Sequence, residues 1–378
     1  MPSLSHVSLF SGAAGFDIGL EASGFETILC IDNDAPSCET LKLNQQIGWS
    51  TGIHRFLRKA TIVQRDVHNL RESDFRGLMQ TQDIDLVSGG PPCQPFSISG
   101  RRKGVKDTRG GLIWEFSRLV GELRPKAFVM ENVPGILTID KGLAFEQLLN
   151  QLENAGGESY RVKHFLLDAV NFGVPQYRKR VILIGNRIGA DITDIPMTHG
   201  ENGQTLDQRK LRPIVTVAQA LKGLPVAGEH SPAPNHVGRI HSQGIVRRYA
   251  SLPAGARDNA TQINKLDLQK PSFTIVVGSD TGGGKGHIHP IEPRELTPRE
   301  SARLQTFPDW WIFCGNRREV IRQVGNAVPP LFAASIGAHI MNKVFGADSI
   351  ASFDETAEAL GQKHLLANHA PTAIAGVV

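Results

Sequence analysis

The sequence has only four cysteines: Cys30, Cys38, Cys93 and Cys314. Four are too few for a disulfide scaffold. None is spaced C-x-x-C, so no zinc motif exists and no metal is expected. Such cysteine usage fits a reducing compartment, and the cytoplasm is the expected location. No apolar run approaches the ~18 residues needed to cross a bilayer, so no membrane association is expected. The first residues, MPSLSHVSLFSG, lack the basic and apolar regions of a secretory signal. Charge of one sign is also scarce. The net charge is +4, which is compatible with nucleic acid without arguing for it.

What is present is an ordinary globular composition, 40% hydrophobic and 21% charged over 378 residues. That length allows two or three domains, or one large domain with an insertion. The 39 glycines and 22 prolines exceed the usual share and show no three-residue period. They indicate a protein whose loops matter.

The first half alternates strand and helix. Strands are expected at His6–Phe10, Thr27–Ile31, Thr61–Gln64, Asp85–Ser88, Ala127–Met130 and Val181–Ile184. Helices are expected at Phe16–Ala22, Gly111–Leu123 and Leu143–Leu152. Strands separated by helices imply an α/β fold, a doubly wound and mostly parallel sheet. Near Gly185 the pattern changes: apolar periodicity weakens, and Pro, Gly and His become frequent. Residues 187–290 hold 12 basic and 8 acidic side chains, a net charge equal to that of the whole chain. The expected organisation is a catalytic, cofactor-binding part at 1–187 and a smaller irregular domain at 188–290. A return to the first part follows at 291–345, then a polar tail at 346–378. Phe273–Val277 reads as a strand closing the irregular domain. Pro298–Thr306 and Pro330–Lys343 read as helices.

Four segments carry candidate chemistry. Gly89-Gly90-Pro91-Pro92-Cys93-Gln94-Pro95-Phe96-Ser97 directly follows a strand, where open α/β sheets bind ligands. Most lone cysteines are structural, but a Pro- and Gly-rich loop is a poor place to pack one. Glu131-Asn132-Val133-Pro134-Gly135 sets a carboxylate at the end of another strand. In Gln176-Tyr177-Arg178-Lys179-Arg180, alternation puts Arg178 and Arg180 on one side of an extended chain. The turn Phe10-Ser11-Gly12-Ala13-Ala14-Gly15 precedes the first helix, with Asp32 at the end of the second strand. Turn and acid suggest a nucleoside-containing cofactor, with NAD and S-adenosylmethionine both open on these features alone. Asp66 stands within reach of an adenine amine. Gly282-Gly283-Gly284-Lys285-Gly286 fails the phosphate-loop pattern, because Ser279 and Gly286 occupy two required positions. It reads better as a flexible loop approaching a phosphate backbone.

Taken in order, these motifs resemble the DNA cytosine-5 methyltransferase family of the bacterial restriction–modification type. Further matches are Arg294-Glu295-Leu296-Thr297-Pro298-Arg299-Glu300, Gln305-Thr306-Phe307-Pro308 and Gln323-Val324-Gly325-Asn326-Ala327-Val328-Pro329-Pro330. The resemblance spans residues 5–342. Ser8 departs from the family's usual Asp, and Ala14 from a preferred glycine. The interval from Ile188 to about Lys270 corresponds to the family's variable target-recognition domain.

The resemblance implies a Rossmann-like, S-adenosylmethionine-dependent enzyme that methylates C5 of a flipped-out cytosine in double-stranded DNA. Cys93 would add to C6, Glu131 would contact N3 and the exocyclic amine, and Arg178 and Arg180 would position the base. Phe10, Gly12, Gly15, Asp32, Asp66, Pro92, Asn326, Ala327 and Val328 would form the cofactor pocket. Gln94, Ser97, Arg101 and Thr274 would face DNA. A monomer is implied, associated with the nucleoid through its DNA, with a cognate restriction endonuclease as functional partner. An RNA-acting relative is disfavoured by Gln94-Pro95-Phe96 and the long variable interval. A catalytically silent regulator is disfavoured by the presence of Cys93 and Glu131, and an oxidoreductase by the missing G-x-G. The target site is not written in any code that converts these side chains to bases.

Overall fold

The computed structural model describes residues 3–79, 83–92, 111–201, 204–206, 209–277, 286–347 and 352–366. Seven strands form the main sheet: β1 (Leu4–Leu9), β2 (Phe25–Asp32), β3 (Thr61–Gln64), β4 (Leu86–Gly89), β5 (Ala127–Asn132), β6 (Arg161–Asp168) and β7 (Lys179–Asn186). Their spatial order is β3-β2-β1-β4-β5-β7-β6. The pairs β1–β2, β1–β4, β2–β3 and β4–β5 are parallel, and β7 runs antiparallel to both β5 and β6. The expected mostly parallel α/β sheet is therefore present.

Period-two alternation sorts the strand residues onto two faces. Val7, Leu9, Leu29, Ile31, Val87, Phe128, Met130, Val181 and Leu183 share one core with α3 (Glu72–Leu78), α4 (Leu112–Leu123) and α5 (Leu143–Glu153). Cys30, Leu86, Ala127, Val129, Ile182 and Ile184 share the other core with α1 (Gly15–Ala22) and α10 (Pro330–Lys343). Both faces of β5 are buried along its whole length, which is why it reads as a continuous apolar run. Gly19 lets α1 and α10 touch. A Cβ there would lie 2.4 Å from both Pro330 O and Ala333 Cβ.

The longest helix of the first half, α2 (Ala35–Thr51), is not foreseen by apolar spacing. Its buried face is polar. Thr40 Oγ1 donates to Gln323 Oε1 at 2.7 Å, Asn44 Nδ2 to Ile312 O at 2.7 Å, and Gln45 Nε2 to Leu57 O at 2.6 Å. Asp34 caps its start by accepting from Ser37 N at 3.1 Å.

The irregular segment is less separate than its composition suggests. Ile192, Ile195, Val215, Val217, Ala220, Leu266 and Ile275 belong to the same core as α1 and α10. Among the described residues, only Tyr249, Ile263 and Ile288, with Ile245 and Leu252, make a core of their own. Here strands are two residues long: β8 (His199–Gly200) pairs with β11 (Arg212–Pro213), β9 (Thr205–Leu206) with β10 (Arg209–Lys210), and β12 (Arg257–Asp258) with β13 (Ile263–Asn264). Helices α6 (Val217–Leu221) and α7 (Gln243–Ser251) lie between them. The strand expected at Phe273–Val277 does not form. Side chains take its backbone groups instead: Ile275 N donates to Gln176 Oε1 at 2.8 Å, and His287 Nε2 lies 3.1 Å from Thr274 O.

The return runs through α8 (Pro298–Leu304), α9 (Arg317–Asn326) and α10. The stretch Arg317–Lys343 has mean hydropathy 1.2 in its most apolar window, yet 78% of that window is buried inside the protein. Two helices broken before Pro330 make it a core element. The polar tail carries structure of its own. Helix α11 (Phe353–Ala359) packs on α10, with Leu360 and Leu365 buried. Gln362 Nε2 donates to Phe307 O at 3.0 Å, and Arg212 pairs with Asp354 at 2.7 Å.

Candidate active site

A cavity of about 480 Å³ opens at the C-terminal ends of β1, β2, β4 and β5. Phe10, Gly12, Gly15, Asp32, Asp66, Pro92, Glu131, Arg178, Arg180, Asn326, Ala327 and Val328 all line it. These residues come from the ends of β1 to β5, from the start of β7 and from a segment some 300 positions after the first turn. Thr274 is not among the lining residues; its hydroxyl donates to Tyr177 O at 2.7 Å. Cys93, Gln94, Ser97, Arg101 and the loop residues Gly282–Lys285 lie outside the described residues.

One end of the cavity is built by the turn after β1. Phe10, Gly12 and Ala14 adopt left-handed φ of 59°, 52° and 62°. Such values are costly for Phe and Ala and free for Gly, which marks the turn as a constrained element. The turn is held by Gly12 N donating to Asp32 Oδ2 at 2.7 Å and Ser11 N to Ile31 O at 3.1 Å. Asp32 Oδ1 accepts from Asp34 N at 2.8 Å. Burial raises the Asp32 carboxyl above its ordinary value, against the pull of the Asp34 and Gly12 N–H donors. Asp66 is more open, and donation from His68 N and then from its ring holds its carboxyl below the ordinary value.

The chain's far end closes this half. A Cβ on Gly15 would lie 2.3 Å from Val328 O and 3.1 Å from Ala327 Cβ, so glycine permits the contact. Arg322 reaches from α9 to Asp34 at 2.5 Å, bridging α9 to α2 beside the cavity. Nothing local in the sequence announces that pair.

At the other end, Glu131 Oε1 pairs with Arg180 Nε at 2.7 Å, with the two side chains 10% and 12% exposed. A Cβ at Gly90 would stand in ordinary contact, 3.5 Å from Glu131 Oε2, so the β4 loop runs beside the carboxylate. Asn132 Nδ2 donates to Pro91 O at 2.9 Å and ties that loop to β5. Sequence reasoning missed Asn132 as a site residue, although it stands next to Glu131 in the same motif.

Arg178 and Arg180 line the same cavity but are used differently. Arg178 is fully buried and donates to Gly325 O and Ala327 O at 3.0 Å each, and to Ile275 O at 3.4 Å. Burial brings its guanidinium down to about 9, with the Arg180 charge acting in the same direction. Its geometry joins β7 to the returning chain, whereas Arg180 faces the carboxylate.

The later motifs are scaffolding. Thr297 and Glu300 form a reciprocal cap on α8, with Thr297 N donating to Glu300 Oε2 at 2.8 Å. Arg294 grips Glu300 through both nitrogens at 2.8 and 2.7 Å. Gln305 Nε2 donates to Val324 O at 2.7 Å, and Gln176 Nε2 to Gln305 Oε1 at 2.9 Å.

A Rossmann-like sheet with a strand-end cavity defines a nucleotide-ligand fold, and the motif order narrows it. The chain belongs to the C-5 cytosine-specific DNA methylase family, whose pattern it matches over residues 4–342. It is a DNA cytosine-5 methyltransferase. It is 35% identical to the type II methyltransferase M.NgoFVII of Neisseria gonorrhoeae over 353 residues, covering 89% of this chain and 86% of that protein. It is 32% identical to M1.HphI of Haemophilus parahaemolyticus, covering 90% and 87%. A solved structure described as a DNA modification methyltransferase encoded within an E. coli prophage superposes with a TM-score of 0.69 at 29% identity, covering 91% of this chain and all of that one.

Proposed function

We propose that this cavity binds S-adenosylmethionine and a flipped-out cytosine side by side, and that Cys93 is the nucleophile. The supporting observation is the cavity itself. A nucleoside-like end with Asp32 and Asp66 is continuous with an ion-paired Glu131–Arg180 end, at the loop that leads through Pro92 into Cys93. The residues fit the cofactor. Gly12 leaves open space where a side chain would stand, and Asp32 and Asp66 carry acceptors suited to ribose hydroxyls and an adenine amine.

The bound cofactor supplies an electrophilic methyl group. The chain's residues make the base able to take it. The Cys93 thiolate forms a bond to C6, and the electron pair released makes C5 enamine-like. Glu131 hydrogen-bonds N3 and the exocyclic amine, relieving charge as the adduct forms. Arg180 orients Glu131, and Arg178 holds the returning chain beside it. Loss of the C5 proton to water then expels Cys93 by β-elimination. The target base leaves the helix at a cost of a few kcal/mol, offset by pocket contacts.

The enzyme is read as the modification partner of a type II restriction–modification pair, or as an orphan methylase. It acts as a monomer on DNA in the cytoplasm. The names of its type II relatives support the modification role. Duplex DNA with 5-fluorocytosine at the target should trap a covalent adduct. Bisulfite sequencing of DNA from expressing cells locates the target. Active enzyme that traps nothing would overturn the C6-addition mechanism.

A further inference from the structure

Beside Arg178 and Arg180, two stretches of chain turn large apolar side chains to solvent. Segments 176–180 and 272–276 run next to each other. Gln176 and Ser272 are bridged in parallel, Tyr177 N donates to Ser272 O at 2.9 Å, and the Thr274 hydroxyl donates to Tyr177 O at 2.7 Å. Alternation along the first segment buries Gln176 and Arg178 and turns Tyr177 and Lys179 outward. In the second, Ser272 and Ile275 are buried, whereas Phe273 and Val276 face out. Tyr177, Phe273 and Val276 are 45%, 41% and 51% exposed. The Phe273 ring is backed by His287, with 5.8 Å between ring centroids.

Both segments adjoin the cavity. Because β7 runs antiparallel to β5, its start stands at the sheet edge where the cavity opens. Arg178 and Arg180, on either side of Lys179, line the cavity. A Cβ on Gly325 would lie 3.0 Å from both Val276 C and Val277 N, and Gly325 is itself a lining residue. Tyr177, Phe273 and Val276 therefore flank the cavity where it meets solvent. Single exposed apolar side chains are ordinary, but a group of them in one place marks a surface that another molecule covers. The reaction says which molecule. A cytosine drawn into the cavity stays joined to its two neighbours through one phosphate each, so those nucleotides have to lie at the mouth. Flat aromatic faces suit bases and deoxyribose, and an ammonium group suits phosphate.

We propose that Tyr177 and Phe273 form an aromatic rest for the nucleotides that flank the extruded cytosine, with Lys179 on their phosphate. The proposal rests on the reading of the cavity above, in which the flipped base enters between Glu131 and the Cys93 loop. It adds contacts outside the cavity wall that hold the DNA strand in place while the base is out of the helix. The rings act through their faces and Lys179 through its charge, so the two contributions separate by their response to salt.

The test is fluorescence anisotropy of the full chain with a labelled duplex carrying the site that bisulfite sequencing locates. Tyr177→Ala and Phe273→Ala should each weaken duplex binding roughly tenfold. Their affinity for S-adenosylmethionine, and the slope of log K against log salt, should stay as in the wild type. Lys179→Gln should lower that slope by about one. Tyr177→Phe, which keeps the ring, should bind like the wild type. Unchanged duplex binding in both alanine variants overturns the proposal and leaves the cavity reading standing. So does an equal loss of cofactor affinity, which would mark the rings as structural, or a Tyr177→Phe variant as weak as Tyr177→Ala. An unchanged slope in Lys179→Gln overturns the phosphate contact. A wild type that traps no adduct with the 5-fluorocytosine duplex overturns the cavity reading itself, and the aromatic rest with it.

Discussion

The main sheet and the irregular segment at 188–290 are held together differently. In the sheet, backbone ladders and two apolar faces do the work, and few side chains are needed to fix the chain. In the segment the strands are two residues long, and a core of three buried residues is supplemented by polar ties. Buried Lys265 donates to Tyr249 O at 3.2 Å and Leu252 O at 3.0 Å, at the C-terminal end of α7. Arg248 pairs with Asp258 at 2.8 Å, and His236 lies 2.8 Å from Thr297 Oγ1 and 2.9 Å from Pro225 O. Periodic burial tolerates one lost contact among many. A polar tie is local and concentrated, so its loss opens one place. A segment held by such ties can be changed locally without disturbing the sheet.

Four experiments break or sharpen that contrast. The largest effect is expected from Cys93→Ala, which removes chemistry and leaves recognition. Methyl transfer should fall on the order of 10⁴-fold or more, with DNA affinity nearly unchanged in a gel-shift titration. Substantial turnover by this variant would exclude Cys93 as the nucleophile. Next is Arg178→Met, which cuts β7 from the returning chain and removes a donor from three carbonyls, of which Ala327 O keeps Gln305 Nε2 at 3.4 Å. A loss of about 3 kcal/mol in global stability is expected in urea. A loss below about 0.5 kcal/mol would show that those carbonyls find other partners.

Lys265→Met should cost less, about 1–2 kcal/mol, and locally. Hydrogen exchange should rise in α7 and β12–β13 while the sheet stays protected. Uniform loss of protection would mean the segment is no separate unit of stability. The smallest effect concerns Glu21. Burial raises its carboxyl to about 8, while Thr27 N and Leu57 N donate to it at 3.2 and 2.9 Å. The folded chain keeps a proton that the unfolded chain gives up. The associated stability is present below the ordinary carboxylate range and lost as pH rises towards 8. Stability of the wild type should fall by roughly 1 kcal/mol per pH unit between pH 6.5 and 8. Glu21→Gln should flatten that slope, and an equal slope in the variant would assign it elsewhere. Below that window the sign reverses, because burial pulls His6 down to about 3 and His199 to about 4, and both resist charging in the folded chain.

Much of the sheet half is legible from spacing. Strand Thr61–Gln64 and helix Pro330–Lys343 match their expected bounds, and α4, α5 and α8 fall within a residue or two of theirs. The misses share a cause. Helix α2 buries Thr40, Asn44 and Gln45, so no apolar stripe marks it. Phe273–Val277 looks like a strand because its residues are β-branched and aromatic, but its donors and acceptors are claimed by Gln176, Arg178 and His287. The segment after 352 looks polar, yet α11 and Gln362 dock on residues near Phe307 and α10. Asn132 was visible as part of a motif without its task being visible, because Pro91 O lies 41 positions away.

The sequence by itself marked the candidate residues for the chemistry and where they stand along the chain. Glycine turns, strand ends and an ordered set of motifs are local patterns, governed by backbone sterics and period-two burial. Only the tertiary structure decided how those residues divide the work. Arg178 and Arg180 have the same side chain two positions apart, yet one is sealed against carbonyls and the other faces Glu131. Asp17 is an acid on the short helix α1 and is completely buried. Burial and charge state depend on which distant segments exclude water, and Val328 meets Gly15 only after the chain has folded back across some 300 residues.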